Sequence, residues 1–496
     1  MRHDANPTHQ REGGTGRARL LTGEVAMALM QEAPARRGRA TTQRPFRTSK
    51  ALLVCWMGVL STSLLGYAVF GKGWAYIGVP PLFIGELMLL SGVVVLLACT
   101  PWWTILEALP AWPLFALMIW GTVRTLPYLS VHGIDTVRDA VIWGYGAFAF
   151  IVFGCLVAAP SMLPRLLSQY RRFTRIFLVC VPVVQILSIF MVDSVPRWPS
   201  TGVPIVDAKA GDALVHLGAI LAFWSTGLGR PVALPLVILF TANVALMGAG
   251  NRGGLLAFLV GLLVCVLARP RAQVLRLVLA AAVCGFMVLA ATNVRFQVSD
   301  RERAISLEQF IENVASISSG SKAGDLDGTK QWRLNWWATI VDYTIHGDYV
   351  WEGKGFGINL ADDDGFQCNE DHSLRSPHNG HLTILARAGV PGLLLWGLTQ
   401  LGWAVTVLRY YVKSRLNHHD EWSGLFLVLL VYWLGFMVNA TFDVFIEGPM
   451  GGIWYWSIYG VGLAGMWIYR RNPAMPLRIA GPPRAAARRI ANREMS

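Results

Sequence analysis

The chain has 496 residues, of which 54% are hydrophobic and only 15% are charged, and its formal net charge is +13. Soluble globular chains carry about 25% charged residues, and a single core does not need this much apolar surface. The composition therefore excludes a disordered, collagen-like or disulfide-stapled secreted protein and predicts an all-α polytopic membrane protein that contacts the bilayer.

The two tails carry most of the positive charge. Residues 1–50 hold ten Arg/Lys and four acids, and residues 470–496 hold seven Arg and one acid. Residues 1–50 also lack the apolar core of a signal peptide, so we interpret them as a disordered basic cytoplasmic tail, with a second such tail at 470–496. Because membrane topology accounts for this charge, we expect no nucleic-acid partner.

Between the tails, about twelve apolar stretches are long enough to cross the hydrocarbon core as helices. Nine lie within residues 51–292 and three within 382–469, and residues 293–381 form the one long polar segment between them. The predicted spans are 51–70, 82–99, 105–121, 140–159, 173–192, 212–228, 231–248, 253–268, 274–292, 382–408, 423–440 and 450–469.

The distribution of basic residues in the short loops predicts the orientation of these spans. Arg165 to Arg175, Arg269 to Arg276 and Arg409 to Arg415 fall in loops on the same side as both tails. Positive loops mark the cytoplasmic side, so an even number of spans leaves both termini in the cytoplasm. Residues 293–381 then form a large loop outside the cytoplasm, and a long loop of this kind is usually functional.

This large loop, residues 293–381, contains a predicted helix from about Gln331 to Ile345. It bears Trp332, Trp336 and Trp337, with Arg333 beside them. Tryptophans at this spacing are typical of a helix at the membrane interface. The same pattern also fits packing of the loop onto the helical bundle.

Arg252 stands in the run Gly250-Asn-Arg-Gly-Gly254, at the predicted outer end of the eighth span. One interpretation is an anchor that reaches the interface. Arginine is disfavoured at that end by the positive-inside rule, and neighbouring glycines let an anionic group approach a helix N-terminus. The sequence therefore favours a phosphate-bearing partner at Arg252.

His378 lies in Ser376-Pro-His-Asn-Gly-His-Leu382, directly before the tenth span. A histidine at the outer membrane surface is able to exchange a proton near neutral pH, and Asn379 is placed to orient it or a substrate hydroxyl. A structural histidine is the alternative. His381 also permits a metal site, but no third ligand stands at a clear spacing.

Two acidic runs in the loop, Asp325-Leu-Asp327 and Asp362–Asp364, allow a Mg²⁺ or Mn²⁺ site beside a diphosphate. They are equally typical of a solvated loop, and we predict no metal. Glu86 and His216 fall at membrane depth, and for each residue the sequence leaves open whether it makes a structural hydrogen bond or has a catalytic role.

The run His378-Asn379, nine residues, then Gly389-Val-Pro-Gly392 resembles the His-Asn…Gly-x-x-Gly signature of bacterial O-antigen ligases and the related polysaccharide polymerases. Arg252-Gly-Gly-Leu-Leu256 resembles their Arg-x-x-x-Leu motif, and Gly353–Gly357 resembles their glycine-rich stretch. The resemblance covers about residues 50–470, and these motifs are shared by ligases and polymerases.

The resemblance implies a type-C glycosyltransferase-like fold in the bacterial inner membrane. Such an enzyme takes a glycan from undecaprenyl diphosphate at the periplasmic face, and the expected acceptor is lipid A-core for a ligase or a second lipid-linked glycan for a polymerase. By motif match, Arg252 and Arg333 would grip the diphosphate and His378 would be the catalytic base. A divergent loop at 195–202 leaves Arg197 and Lys209 as further donor-site candidates.

The chemistry agrees with these residue types. A diphosphate is a good leaving group, so bond cleavage needs charge neutralisation, which arginines supply through bidentate contacts. One direct displacement would invert the anomeric centre, and we expect no cofactor. A lipid or glycan transporter with the same number of helices is the remote alternative.

Overall fold

A computed structural model of the protein describes residues 47–191, 194–229, 232–292, 295–296, 305–306 and 324–478. The predicted cytoplasmic tails, apart from a few residues at their inner ends, lie outside the described residues.

The described residues are mainly α-helical, with two short antiparallel strand pairs, Gly78–Val79 with Leu82–Phe83 and Arg295–Phe296 with Ile305–Ser306. The α-helices are α1 (Arg47–Phe70), α2 (Lys72–Ala75), α3 (Ile84–Cys99), α4 (Ala111–His132), α5 (Ile134–Gly144), α6 (Ala147–Ala158), α7 (Met162–Phe190), α8 (Ala210–Ser225), α9 (Leu234–Gly250), α10 (Arg252–Ala268), α11 (Gln273–Thr292), α12 (Gly324–Val341), α13 (Leu360–Asp363), α14 (Gly380–Leu416), α15 (Asp420–Ala440) and α16 (Pro449–Arg471).

A helix occupies each of the twelve apolar stretches that the sequence indicated. The third differs most from its predicted bounds, because Trp102–Glu107 forms a separate 3₁₀ helix and α4 starts only after Pro110. Proline fixes φ near its helical value and lacks an N–H, so it suits the start of a helix better than its interior.

Four of the described helices are long and apolar enough to cross a membrane, namely α1 from Lys50 onward, α4, α14 and α15. Helices α5 and α6 are bent by 45° and make a fifth span if they cross together. The apolar helices α3, α8, α9, α10 and α11 are shorter by this measure. These helices support an all-α membrane protein, while twelve crossings and their orientation stay predictions.

Helices α8, α10 and α15 pack against one another in the core of the bundle. A Cβ added to Gly254 would lie 2.5 Å from the Cα of Gly211, so α8 and α10 touch through glycines near their N-termini. The residues after the C-terminus of α15 lie at the same end, because Asp443 bonds Lys209 just before α8. Three chain segments therefore meet at one end of the bundle.

The two ionisable residues predicted at membrane depth both have partners in the bundle. Glu86 accepts hydrogen bonds from the Tyr145 hydroxyl at 2.7 Å and from the Phe83 N–H at 3.1 Å. His216 Nδ1 lies 2.5 Å from the Tyr432 hydroxyl. These hydrogen bonds agree with the structural role, which was one of the two interpretations that the sequence left open for each residue.

The tryptophan-bearing helix α12 begins earlier than expected and continues into a π-turn, Asp342–His346. Trp336 is fully buried with Ile340 and Leu360, and its Nε1 donates to Asp364 Oδ2 at 2.7 Å. Trp336 thus packs the loop onto the bundle, which was the second interpretation of the tryptophan pattern.

Helix α14 is broken at Gly389, which has φ 67° and ψ −172°. A Cβ there would lie 2.7 Å from the carbonyl of Trp351, so both the positive φ and the close approach require glycine. The next residues cannot continue the helical bonding, since Val390 N–H donates to Val350 O at 2.8 Å and Pro391 has no N–H.

The glycine-rich stretch supplies the donors that this break removes. The carbonyls of Ala386 and Arg387 accept from the N–H groups of Lys354 at 2.7 Å and Gly355 at 3.1 Å. Buried carbonyls need such partners. The two glycine motifs of the sequence are therefore two sides of one structural joint, which fixes the segment around Lys354 to α14.

Candidate functional site

Five polar residues define what we call the polar cluster: Lys209, Arg252, Arg333, His378 and Asp443. Lys209 is the N-cap residue of α8, Arg252 is the first residue of α10, and Arg333 lies on α12. His378 precedes α14 and Asp443 follows α15. Each residue thus stands at or beside the end of a helix, or on the loop helix that packs there.

Lys209 and Asp443 form the ion pair of the cluster, with Nζ and Oδ1 3.0 Å apart. The backbone N–H of Val444 also donates to Asp443 Oδ1, at 2.7 Å. Burial disfavours the charged form of Lys209, but the carboxylates of Asp443 and Asp212 outweigh it and raise the pKa of the lysine. Lys209 therefore remains a cation in the site.

Arg333 reaches the same turn from the loop side. Its Nη1 donates to the Phe442 carbonyl at 3.0 Å, while its buried Nε has no hydrogen-bond partner among the described residues. Burial lowers the pKa of Arg333, and the charge of Asp443 opposes this effect. A guanidinium that is partly dehydrated and has an N–H without a hydrogen-bond acceptor is well suited to bind an anionic ligand.

Arg252 is the first residue of α10, and the start of this helix is capped by Asn251. The Asn251 Oδ1 accepts a hydrogen bond from the Gly254 N–H at 2.7 Å, so Asn251 is the N-cap of α10. A Cβ on Gly253 would lie 2.7 Å from Phe442 Cβ, so the residue after Arg252 packs directly against Phe442. The start of α10 and the Arg333 side chain thus both contact Phe442.

His378 has a φ of 52°, in the left-handed region that costs a non-glycine residue roughly 1–2 kcal/mol. The Trp337 Nε1 donates to the Pro377 carbonyl at 2.9 Å and holds the approach to this turn. Non-glycine residues in this conformation cluster at functional sites, where the surrounding structure maintains them. The observed strain is therefore consistent with a functional histidine.

The charges around His378 favour its neutral form. Burial and the positive charge of Arg333 lower its pKa to about 4, with Lys209 acting in the same direction and Asp443 against it. A histidine with this pKa is unprotonated at neutral pH and has a lone pair with which to accept a proton.

His381 differs from His378 because both of its ring nitrogens have protein partners. Its Nδ1 accepts from Trp396 Nε1 at 3.0 Å, so its Nε2 carries the proton and donates to the Met437 carbonyl at 3.1 Å. These contacts fix the ring in the bundle. They leave no free lone pair for proton transfer or for the metal site that the sequence allowed.

Asn379 and Arg197 have local contacts that the sequence did not specify. Asn379 caps α14, with Oδ1 accepting from the N–H groups of His381 and Leu382, both at 3.1 Å. Arg197 is exposed in the segment before α8 and donates from Nη1 to the Gly202 carbonyl at 3.1 Å. Of the two donor-site candidates in this segment, Lys209 is the one that joins the polar cluster.

The aspartates at 362–364 have protein partners. Lys354 Nζ lies 2.5 Å from both Asp363 Oδ2 and Asp364 Oδ1, and Asp362 Oδ1 lies 2.7 Å from His372 Nδ1. The described residues contain no group of three side chains arranged to hold a metal ion. The side chains of Asp325 and Asp327 lie outside the described part of the structure.

Asp443 is the cluster residue that sequence reasoning missed. It follows a predicted span at the predicted outer side, where an acid after the apolar run Leu425–Ala440 was visible in the sequence. Its partner Lys209 is 234 positions away, so only the packing of α8 against α15 reveals the pair.

Residues 235–397 match the model of a family described as O-antigen ligase. No curated protein matches the chain. The matched segment includes Arg252, Arg333, His378 and the broken part of α14, whereas Lys209 and Asp443 lie outside it. Over this third of its length the chain is similar to the O-antigen ligase family, and the match supports the O-antigen ligase and polymerase superfamily that the motifs indicated.

Proposed function

We propose that the protein is a membrane glycosyltransferase that moves a glycan from undecaprenyl diphosphate to an acceptor at the periplasmic face. In this proposal it is an O-antigen ligase, with lipid A-core as acceptor, and a polysaccharide polymerase is the alternative. The observation that carries the proposal is the polar cluster, which brings cationic side chains and a neutral histidine to one end of the bundle.

The cationic residues support binding of the donor diphosphate. Lys209, Arg252 and Arg333 supply three positive charges, and Asp443 supplies a negative charge that pairs with Lys209. Guanidinium groups form paired hydrogen bonds to phosphate oxygens. The N-termini of α8 and α10 add the positive ends of two helix dipoles. The cationic side chains and the two helix N-termini together favour an anionic ligand in this site.

Proton transfer in the proposed reaction belongs to His378. The acceptor hydroxyl attacks the anomeric carbon, the bond from that carbon to the diphosphate oxygen breaks, and undecaprenyl diphosphate leaves with the bonding electrons. His378 takes the hydroxyl proton and becomes an imidazolium, which the nearby Asp443 carboxylate stabilises. One displacement of this kind inverts the anomeric configuration.

The ion pair between Lys209 and Asp443 has a second role in this scheme. It holds the end of α15 against the start of α8, so Phe442 is fixed where Gly253 and Arg333 contact it. Geometry maintained in this way holds Arg333 and the start of α10 against the same residue before a ligand binds, which lowers the reorganisation that binding requires.

The function is tested by supplying purified protein with a lipid-linked glycan donor and, separately, with lipid A-core or with a second lipid-linked glycan. We expect transfer to lipid A-core and release of undecaprenyl diphosphate. Ladders of longer lipid-linked glycan without transfer to core would instead support a polymerase. Glycan movement without any release of undecaprenyl diphosphate would support a transporter and contradict both enzyme functions.

We also expect activity to persist when divalent cations are removed. The arginines supply the charge neutralisation, and Asp363 and Asp364 already bind Lys354. The measurement is the initial rate of transfer before and after treatment with EDTA, with a rate change of less than about twofold expected. Loss of activity that Mg²⁺ or Mn²⁺ restores would show that an ion takes part.

A further inference from the structure

Glu447 lies in the short connection between α15 and α16, within the 3₁₀ turn Phe445–Glu447. Its carboxylate faces the turn that carries His378, although it is far from this turn in sequence. Thr383 Oγ1 donates to Glu447 Oε1 at 2.9 Å, and Ser376 is a second hydroxyl hydrogen-bonded to the same carboxylate. One side chain thus bonds residues on both sides of His378.

The position of these two hydroxyls matters because the intervening backbone is strained. Ser376 precedes His378 by two residues, and Thr383 lies in the first turn of α14, where its Oγ1 also lies 3.0 Å from the Asn379 carbonyl oxygen. His378 itself has φ 52°. A conformation of this kind persists only where its surroundings hold it, and the carboxylate bridges its two ends.

Glu447 is held in turn by the charges behind it. Arg387 and Asp139 are the charged groups that face it, and they form an ion pair with Nη1 and Oδ2 2.9 Å apart. Burial raises the pKa of Glu447 to about 7, although the Thr383 hydroxyl and the Arg387 charge lower it. The same Arg387 donates to the Ile358 carbonyl at 3.1 Å, so the bridge is anchored to the glycine-rich joint.

We propose that Glu447 is a positioning residue, which holds the strained turn from Ser376 to Thr383 and thereby aims the His378 imidazole at the acceptor hydroxyl. The inference rests on the proposed function, in which His378 is the base. The charges that act on the imidazole itself come from Arg333, Asp443 and Lys209, so Glu447 acts through the backbone of the turn. Removing it should impair turnover and leave donor binding intact.

The test measures kcat, the donor KM and binding of undecaprenyl diphosphate for Glu447 variants in the full-length protein. For Glu447→Ala we expect kcat to fall about 10- to 100-fold, as misplacement of a catalytic group by about 1 Å does, with donor KM and binding within about twofold of wild type. Glu447→Gln should lose less, because its amide oxygen still accepts one of the two hydroxyl hydrogen bonds.

Two further variants separate positioning from folding. The double variant Ser376→Ala with Thr383→Val keeps the carboxylate but removes both hydroxyls, and it should lower kcat to a similar extent. Glu86→Gln is the matched control, because Glu86 is also a half-buried, hydrogen-bonded glutamate beside a helix start, and it should leave kcat unchanged. If Glu447→Ala does not fold, wild-type kcat in both Glu447→Gln and the double variant overturns the proposal.

A mutant cycle distinguishes failure of this inference from failure of the proposed function. In a His378→Ala background, Glu447→Ala should cause no further loss of the residual turnover, since the residue it positions is gone. A full additional loss, or weaker donor binding in Glu447→Ala, would overturn the positioning role. Near-normal turnover of His378→Ala alone would instead reject the base assignment on which the inference rests.

Discussion

Replacing Arg333 or Arg252 by alanine is expected to lower the kcat/KM of glycan transfer by about a hundredfold to a thousandfold for each. Removal of one preorganised donor from a developing oxyanion has an effect of that size. Arg333 already has a partly dehydrated guanidinium with a buried Nε that no described residue bonds. Arg252 is the first residue of α10, and the start of this helix packs against Phe442, which Arg333 also contacts. Donor dissociation constants and initial rates of transfer are the measurements.

Lysine at either position should restore activity only in part, because an ammonium group supplies charge without the planar pair of donors. A suitable control is Arg138→Ala, which removes an arginine that is mostly exposed and pairs only distantly with Asp135, at 3.9 Å. If Arg252→Ala has wild-type donor affinity and turnover, Arg252 does not bind the diphosphate. The same result for Arg333→Ala would exclude Arg333 from that role.

The positions of the apolar helices followed from the sequence because apolar length is a local property. Each stretch long enough to cross a bilayer became a helix, and the Arg252 helix begins where the run Asn251-Arg-Gly-Gly254 suggested. The break between α5 and α6 and the 3₁₀ turn before α4 were not predicted. These features depend on contacts between distant helices, which hydropathy does not record.

The motif residues of the site were also visible in the sequence, but their environment was not. The break at Gly389 depends on the N–H donors of Lys354 and Gly355, which lie more than thirty positions earlier. Asp443 gave no motif signal, and Lys209 was a weak candidate until their 3.0 Å contact joined them. Charge pairs between separate helices are the part of such a site that one sequence conceals.

His378→Ala is expected to reduce kcat by about two to four orders of magnitude, the usual contribution of a positioned general base. Donor binding should persist, because the arginines hold the diphosphate and the base acts on the acceptor. His381→Ala should lose far less, since its imidazole is bonded to Trp396 and Met437 within the bundle. Single-site variants compared in the same transfer assay, with donor binding measured in parallel, decide between the two histidines.

The pH dependence provides a separate test of the same assignment. Because the pKa of His378 is lowered to about 4, the free enzyme should hold the base unprotonated above that pH, and kcat/KM should fall only as the pH drops through about 4. An unperturbed histidine would place this limb near 6.5.

A bound diphosphate adds negative charge beside the imidazole and raises its pKa, so the acid limb of kcat should lie at higher pH than that of kcat/KM. The bound donor would thereby strengthen the base that takes the proton from the acceptor hydroxyl. His378→Ala should lack both limbs, and limbs of unchanged position in that variant would assign the proton to another group.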